Sequence, residues 1–184
     1  MRLIDTHSHL FLEEFSEDLP QVIERARSAG ITHIFMPNID STTIDSMLSV
    51  CNAYKDYCFP MIGLHPTSVN ADYEKELEIV ARELKSFNKY IAIGEIGMDL
   101  YWDKTFLKEQ QIALDKQINW ALEYDLPVVI HCRDAFDYIY NVLEPYKNTS
   151  LKGIFHSFTG TDDEAARILE FSGFLIGING VVTF

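Results

Sequence analysis

The histidines of this chain are not scattered. His7 and His9 stand as His-x-His after Leu3-Ile4, Glu95 follows Ile91-Ala92-Ile93-Gly94, His131 follows Val128-Val129-Ile130, and His156 follows Gly153-Ile154-Phe155. Each closes a short apolar run. Strand side chains alternate with a period of two, so His7 and His9 point to the same side. His65, in Gly63-Leu64-His65-Pro66, ends a further run. Of the six histidines only His33, in Thr32-His33-Ile34, lies inside a run, and it reads as a packed core residue. A single strand-end histidine is more often structural than a ligand. The collection carries the signal.

Neutral imidazoles with a carboxylate suit zinc, manganese, iron or nickel. Four histidines and a glutamate exceed the roughly three ligands that one catalytic zinc takes from protein. Two ions sharing Glu95 as a bridge is the economical arrangement. Such pairs lie roughly 3.5–4 Å apart and acidify water from about 15.7 toward about 7.

For these side chains to meet, the runs that carry them must lie side by side. Amphipathic helical patterns separate them throughout. One uses Leu19, Val22, Ile23, Ala26 and Ala29, with Pro20 in its first turn and Gly30 past its end. Another uses Leu77, Val80, Ala81, Leu84 and Phe87; a third opens on the capping box Thr161-Asp162-Asp163-Glu164. The reading is seven strands and six helices in strict alternation, which means a parallel sheet buried on both faces. An open doubly wound sheet and a (β/α)8 barrel both fit. No Gly-rich dinucleotide fingerprint follows the first run, which weakens the former. Seven strands fall one short of a barrel, and barrels typically need about 250 residues. In a barrel, strand C-termini converge on one mouth, where active sites lie.

The chain has 184 residues, a length that predicts one domain with a large core. With 15 Lys+Arg against 28 Asp+Glu the net charge is -13, which argues against a broad basic surface for nucleic acid. A nuclease is still allowed, because metal ions can hold phosphate in place of Lys and Arg. Three cysteines, Cys51, Cys58 and Cys132, form no disulfide framework and favour a reducing compartment. Without a secretory signal or an apolar run of about 18 residues, the expectation is a cytoplasmic protein with no membrane span.

The motifs Asp5-Thr6-His7-Ser8-His9-Leu10, Gly63-Leu64-His65-Pro66, Gly94-Glu95-Ile96-Gly97-Met98-Asp99, Ile130-His131-Cys132-Arg133 and His156-Ser157-Phe158-Thr159-Gly160 resemble the TatD family of metal-dependent deoxyribonucleases, which are amidohydrolase-like TIM barrels. The resemblance runs from Leu3 to Phe184. It implies an α/β fold of (β/α)8 type with about seven of the eight strands present, and a single hydrolase domain over residues 1–184 that is incomplete at its C-terminus. It implies DNA as substrate, 3'→5' exonucleolytic hydrolysis, and two divalent ions (magnesium, manganese or zinc). By motif, His7 and His9 bind the first ion, Glu95 bridges, and His131 and His156 bind the second. Glu95 and His65 are the catalytic positions, and His65 lines the substrate side. The family's eighth strand carries an aspartate that completes the first site. The sequence stops before it, so the expectation is weak hydrolysis by residues 1–184 alone and unpaired edges on the first and last strands.

Around these motifs other readings compete. Arg133 faces a phosphate or is a surface arginine before a helix. Asp5 orients a ligand or is a buried structural carboxylate. Tyr101 and Trp102 stack on a base or cap the rim. Cys132 faces away from the metals. The rival functions are an amidohydrolase-type reaction on a small amide, ester or phosphoester, and a metal-binding barrel without catalysis.

Overall fold

In the computed structural model, residues 2–86 and 89–183 are described; Phe87 of the Leu77–Leu84 stripe and Phe184 lie outside them. Among the described residues seven strands run in chain order: β1 Leu3–Asp5, β2 Ile31–Pro37, β3 Cys58–Met61, β4 Ile93–Asp99, β5 Val128–Arg133, β6 Gly153–Phe155 and β7 Phe174–Ile176. Six helices connect them: α1 Leu19–Ser28, α2 Ile44–Ala53, α3 Tyr73–Ser86, α4 Leu107–Glu123, α5 Phe136–Leu143 and α6 Asp162–Leu169. All strand pairs are parallel. The β1–β3 and β4–β7 sheets meet at a bridge between Ile62 and Ile93, where Gly94 N–H donates to Ile62 O at 2.8 Å. The result is one curved wall in sequential order with helices outside, the arrangement of a (β/α)8-type barrel.

The helices begin and end where their residues dictate. Pro20 occupies the first turn of α1, and Gly30 beyond it adopts φ 87°. Thr161 Oγ1 accepts the Glu164 N–H at 3.2 Å and Glu164 Oε2 accepts the Thr161 N–H at 2.7 Å, the reciprocal cap of α6.

Alternation along the strands divides the core in two. On β2, Ile34 and Met36 join Ile23 and Met47 in the cluster beneath the helices. Phe35, between them, joins Met61, Ala92, Val129 and Ile154 in a cluster built from strands and their approaches, which is the inner face. His33 stacks on Phe59 and its Nδ1 lies 2.9 Å from Thr32 Oγ1, a packed and satisfied residue as its position implied. Among the described residues β1 and β7 each have one strand neighbour. Between them a cleft of about 270 Å³ reaches Val129 and Ile154 of the inner face. Ile4 and Ile178 on its rim are 52% and 79% exposed. No helix among the described residues is long and apolar enough to cross a membrane.

Candidate metal centre

Past β1 the chain stays aligned with β2, because Ser8 N–H donates to Phe35 O at 3.0 Å. Asp5 Oδ1 accepts the His7 backbone N–H at 3.1 Å, so this carboxylate holds the turn rather than an imidazole. His7 and His9 therefore lie beyond β1 in that turn, not inside the strand, yet their Nε2 atoms still converge to 3.2 Å.

Glu95 also departs from its expected place. It sits within β4, which continues to Asp99, instead of at the strand's end. The strand passes beyond it because the register shifts between Gly94 and Ile96 and because Gly97 takes φ 139°. A Cβ on Gly97 would fall 2.0 Å from His131 O. Only glycine allows β4 and β5 to approach there.

Glu95 is buried, 3% exposed, and four imidazoles face it. Its Oε2 lies 3.0 Å from His7 Nε2 and 3.7 Å from both His9 Nε2 and His65 Nε2. Its Oε1 lies 3.1 Å from His131 Nδ1. Burial pushes the Glu95 carboxyl up, but in the absence of a cation hydrogen bonding with His131, His7 and His9 outweighs it and holds the group well below the usual carboxylate range. Burial lowers His131, yet the facing Glu95 and Asp99 carboxylates win and raise it above the usual histidine value. His65 and His156 have less compensation, and burial lowers both to about 4.

Two groups of donors lie close enough for an ion: His7, His9 and Glu95, and His65, Glu95 and His131, with ligand atoms within 4.8 Å of one another in each. The first fits a cation on its hydrogen bonding. His9 Nδ1 lies 3.0 Å from Pro37 O; a carbonyl only accepts, so Nδ1 holds the proton and Nε2 presents a lone pair. That lone pair faces a Glu95 carboxylate oxygen at 3.7 Å, two acceptors that a positive ion satisfies together, with His7 Nε2 3.2 Å away to join them. In the second group, Asp99 Oδ2 at 2.9 Å takes the proton of His131 Nε2 and leaves Nδ1 toward Glu95. His65 differs. Its Nδ1 accepts the Thr67 backbone N–H at 3.2 Å, so in the neutral ring Nε2 carries the proton and donates. His156, expected beside His131, stacks on His7 with ring centroids 3.4 Å apart.

Arg133 lies on neither group. Its guanidinium sits 3.7 Å over the Tyr101 ring, at the mouth. Cys132 lines a neighbouring cleft, and burial pushes its thiol up to about 11, which makes it unreactive.

Sequence reasoning missed Asp99, Asn38, Gln110 and Gln117, all buried. Asp99 was findable: Glu95, Gly97 and Asp99 alternate on one face of β4. Gln110 Oε1 accepts the Asp99 N–H at 2.9 Å and its Nε2 donates to Asp99 O at 3.1 Å. Gln117 does the same for Leu64, at 2.7 and 3.3 Å. Asn38 Oδ1 accepts the Gly63 N–H at 2.7 Å. These amides pin the segments that carry His65 and His131's carboxylate partner.

The family model described as TatD related DNase matches residues 4–184. The chain belongs to the TatD-related DNase family. A relative from Bacillus subtilis (strain 168), described as the uncharacterized metal-dependent hydrolase YabD, is 35% identical over 182 residues, covering 99% of this chain and 70% of its own. The 3'-5' ssDNA/RNA exonuclease TatD of Pantoea ananatis (strain LMG 20103) is 31% identical, covering 98% of this chain and 68% of its own. The crystal structure of YjjV, a TatD homologue from Escherichia coli K12, superposes with a TM-score of 0.91 at 32% identity, over all of this chain and 70% of that one. The TatD-family fold expected from the motifs is thus present, and the motif residues stand at the mouth that the fold provides.

Proposed function

We propose that this protein hydrolyses phosphodiester bonds in single-stranded nucleic acid, releasing nucleotides from the 3' end with the help of divalent metal ions. The observation that carries the reading is the convergence of four imidazoles on the buried Glu95 carboxylate. A structural ion pair has no use for so many imidazoles around one carboxylate, whereas two cations sharing that carboxylate do. Membership of the TatD-related DNase family and a relative named as a 3'-5' ssDNA/RNA exonuclease support it.

In this reading His7, His9 and Glu95 hold the first ion, and Glu95, His131 and His156 the second. When bound, such ions acidify water and neutralise phosphate charge. Glu95 would serve both ions, and it keeps its charge because its pKa is held low. His65 is the group beside them that is set to donate. Thr67 fixes its tautomer, burial keeps it neutral down to about pH 4, and its Nε2–H faces the site rather than solvent. A donor so placed hydrogen-bonds a phosphate oxygen as charge accumulates on it. Arg133 lines the substrate side. Asp99 orients His131 from behind. Zinc and manganese suit the imidazole-rich donor set, whereas magnesium, a harder cation, would rest on Glu95, water and phosphate oxygens; DNA is the substrate.

The test is degradation of 3'-labelled single-stranded DNA with added magnesium or manganese, compared with Glu95→Ala. Stepwise loss of the 3' label, abolished in the variant, is expected. Hydrolysis of small esters or amides without any cleavage of nucleic acid would move the assignment to the small-molecule reading.

A further inference from the structure

Beside the Glu95 centre lies a cleft of about 540 Å³ whose wall includes Tyr101, Arg133, Tyr138, His156 and Phe158. Its size suits one nucleoside. Tyr101 and Trp102 meet edge to face, with centroids 4.7 Å apart and planes at 88°. The Arg133 guanidinium lies 3.7 Å over Tyr101 and 5.5 Å from the Trp102 centroid. This cluster is open to solvent: Tyr101 is 51% and Trp102 76% exposed. An indole so exposed forgoes the burial that large aromatics normally gain. Arg133 makes no ion pair among the described residues; its planar cation is spent on the rings alone.

The cluster is tied to the catalytic centre. Tyr101 N–H donates to Asp99 Oδ1 at 3.1 Å, and the other oxygen of the same carboxylate bonds His131 at 2.9 Å. One side chain therefore sets the position of both the aromatic pair and His131. Tyr101 and Arg133 line the cleft, with Trp102 just outside its lining, and its wall also carries the carboxylates Asp134, Asp137 and Glu164. Such a wall repels a continuing run of phosphates but accepts a neutral, flat base. Aromatic and guanidinium faces stack on any base without reading its edge.

We propose that Tyr101, Trp102 and Arg133 form a stacking platform that seats one unpaired nucleobase of the strand whose phosphodiester lies at Glu95. The proposal rests on the nuclease reading and deepens it. A base held in a duplex is already stacked and paired, so the platform selects single-stranded ends.

The experiment compares thymidine trinucleotide with an abasic trinucleotide of the same charge, followed by tryptophan fluorescence on the protein in EDTA. Trp102→Phe identifies which indole reports. The expected result is quenching of Trp102 and at least about tenfold tighter binding of the thymidine trimer. Tyr101→Ala and Arg133→Ala each erase that preference with thermal midpoints unchanged, since all three side chains are at the surface. Arg133→Lys keeps the charge but loses the planar face, so it too loses most of the preference. Equal affinity for the two trimers, absence of base-dependent binding, or full preference in Arg133→Lys would overturn the platform. The two readings separate on turnover with manganese. Hydrolysis of both trimers at equal kcat/KM rejects the platform and keeps the nuclease. Base-dependent binding without cleavage of any nucleic acid keeps the platform and rejects the nuclease.

Discussion

The imidazole of His156 lies flat against that of His7, with ring centroids 3.4 Å apart and planes inclined by 15°. The two residues come from opposite ends of the strand order, one after β1 and one after β6. Their contact brings His156 toward the first donor group, while His65 takes the place beside Glu95 and His131. Geometry alone thus groups His65 as a ligand, whereas its tautomer makes it a donor.

Metal counting separates these roles. His7→Ala, His9→Ala and Glu95→Ala should each reduce bound manganese or zinc, measured by elemental analysis after dialysis. His156→Ala should lose one ion. His65→Ala should keep both and lose about 10²- to 10³-fold in kcat, the size expected for a missing donor at developing charge. An ion lost from His65→Ala but retained in His156→Ala would make His65 the ligand.

Asp99→Asn tests positioning. The amide can still accept the Tyr101 N–H but no longer presents a charged acceptor to His131 Nε2. Metal affinity or activity should fall about 10- to 100-fold, as for other carboxylates behind ligand histidines. Calorimetric titration with manganese would measure it. Unchanged affinity and unchanged kcat would reduce Asp99 to a packing residue.

Gln117→Leu should destabilise the protein by about 2–4 kcal/mol, because it strands a buried N–H and a buried C=O of Leu64. Urea unfolding should show a lower midpoint at constant slope. A loss below about 1 kcal/mol would mean that water replaces the amide.

Metal-free stability should fall on acidification. His65 and His156 have folded values of about 4 against 6.5 for the free side chain, so the unfolded chain binds their protons first. Their contribution is whole above pH 6.5 and is lost progressively between 6.5 and about 4. His131 is shifted the other way; its contribution is whole below pH 6.5, constant through this window, and lost only as pH rises through its folded value. Between pH 6.5 and 5, where His131 does not oppose it, the expected loss in EDTA is about 1–3 kcal/mol after allowance for solvent screening. A urea midpoint that does not move between these pH values would show that the two rings are solvated.

What could be read from the residues was whatever depended on near neighbours. The α1 stripe and the Thr161–Glu164 cap form where their spacing puts them. The chemistry-bearing histidines also reach one mouth, because parallel strands deliver their C-terminal ends together. Distances along β4 were misjudged, since the strand's passage beyond Glu95 depends on Gly97 lying against His131 O, a contact between strands. Gln110 and Gln117 are polar residues on α4 that no helical stripe marks for burial. Their partners are main-chain groups, and for Gln117 the partner lies 53 positions away, where no local pattern reaches. Which of His65 and His156 stands beside His131 is likewise a matter of packing, not of order along the chain.

Both glutamines sit on one helix, seven residues apart. That separation is two turns and about 10.5 Å of rise. One amide clamps Leu64, next to His65; the other clamps Asp99, behind His131. The outer helix is therefore a ruler laid across the mouth, and the gap between His65 and His131 is measured in helical turns on the far side of the wall. A residue inserted between Gln110 and Gln117 would swing one amide by about 100° and leave every site residue in the sequence intact, yet miscalibrate the centre.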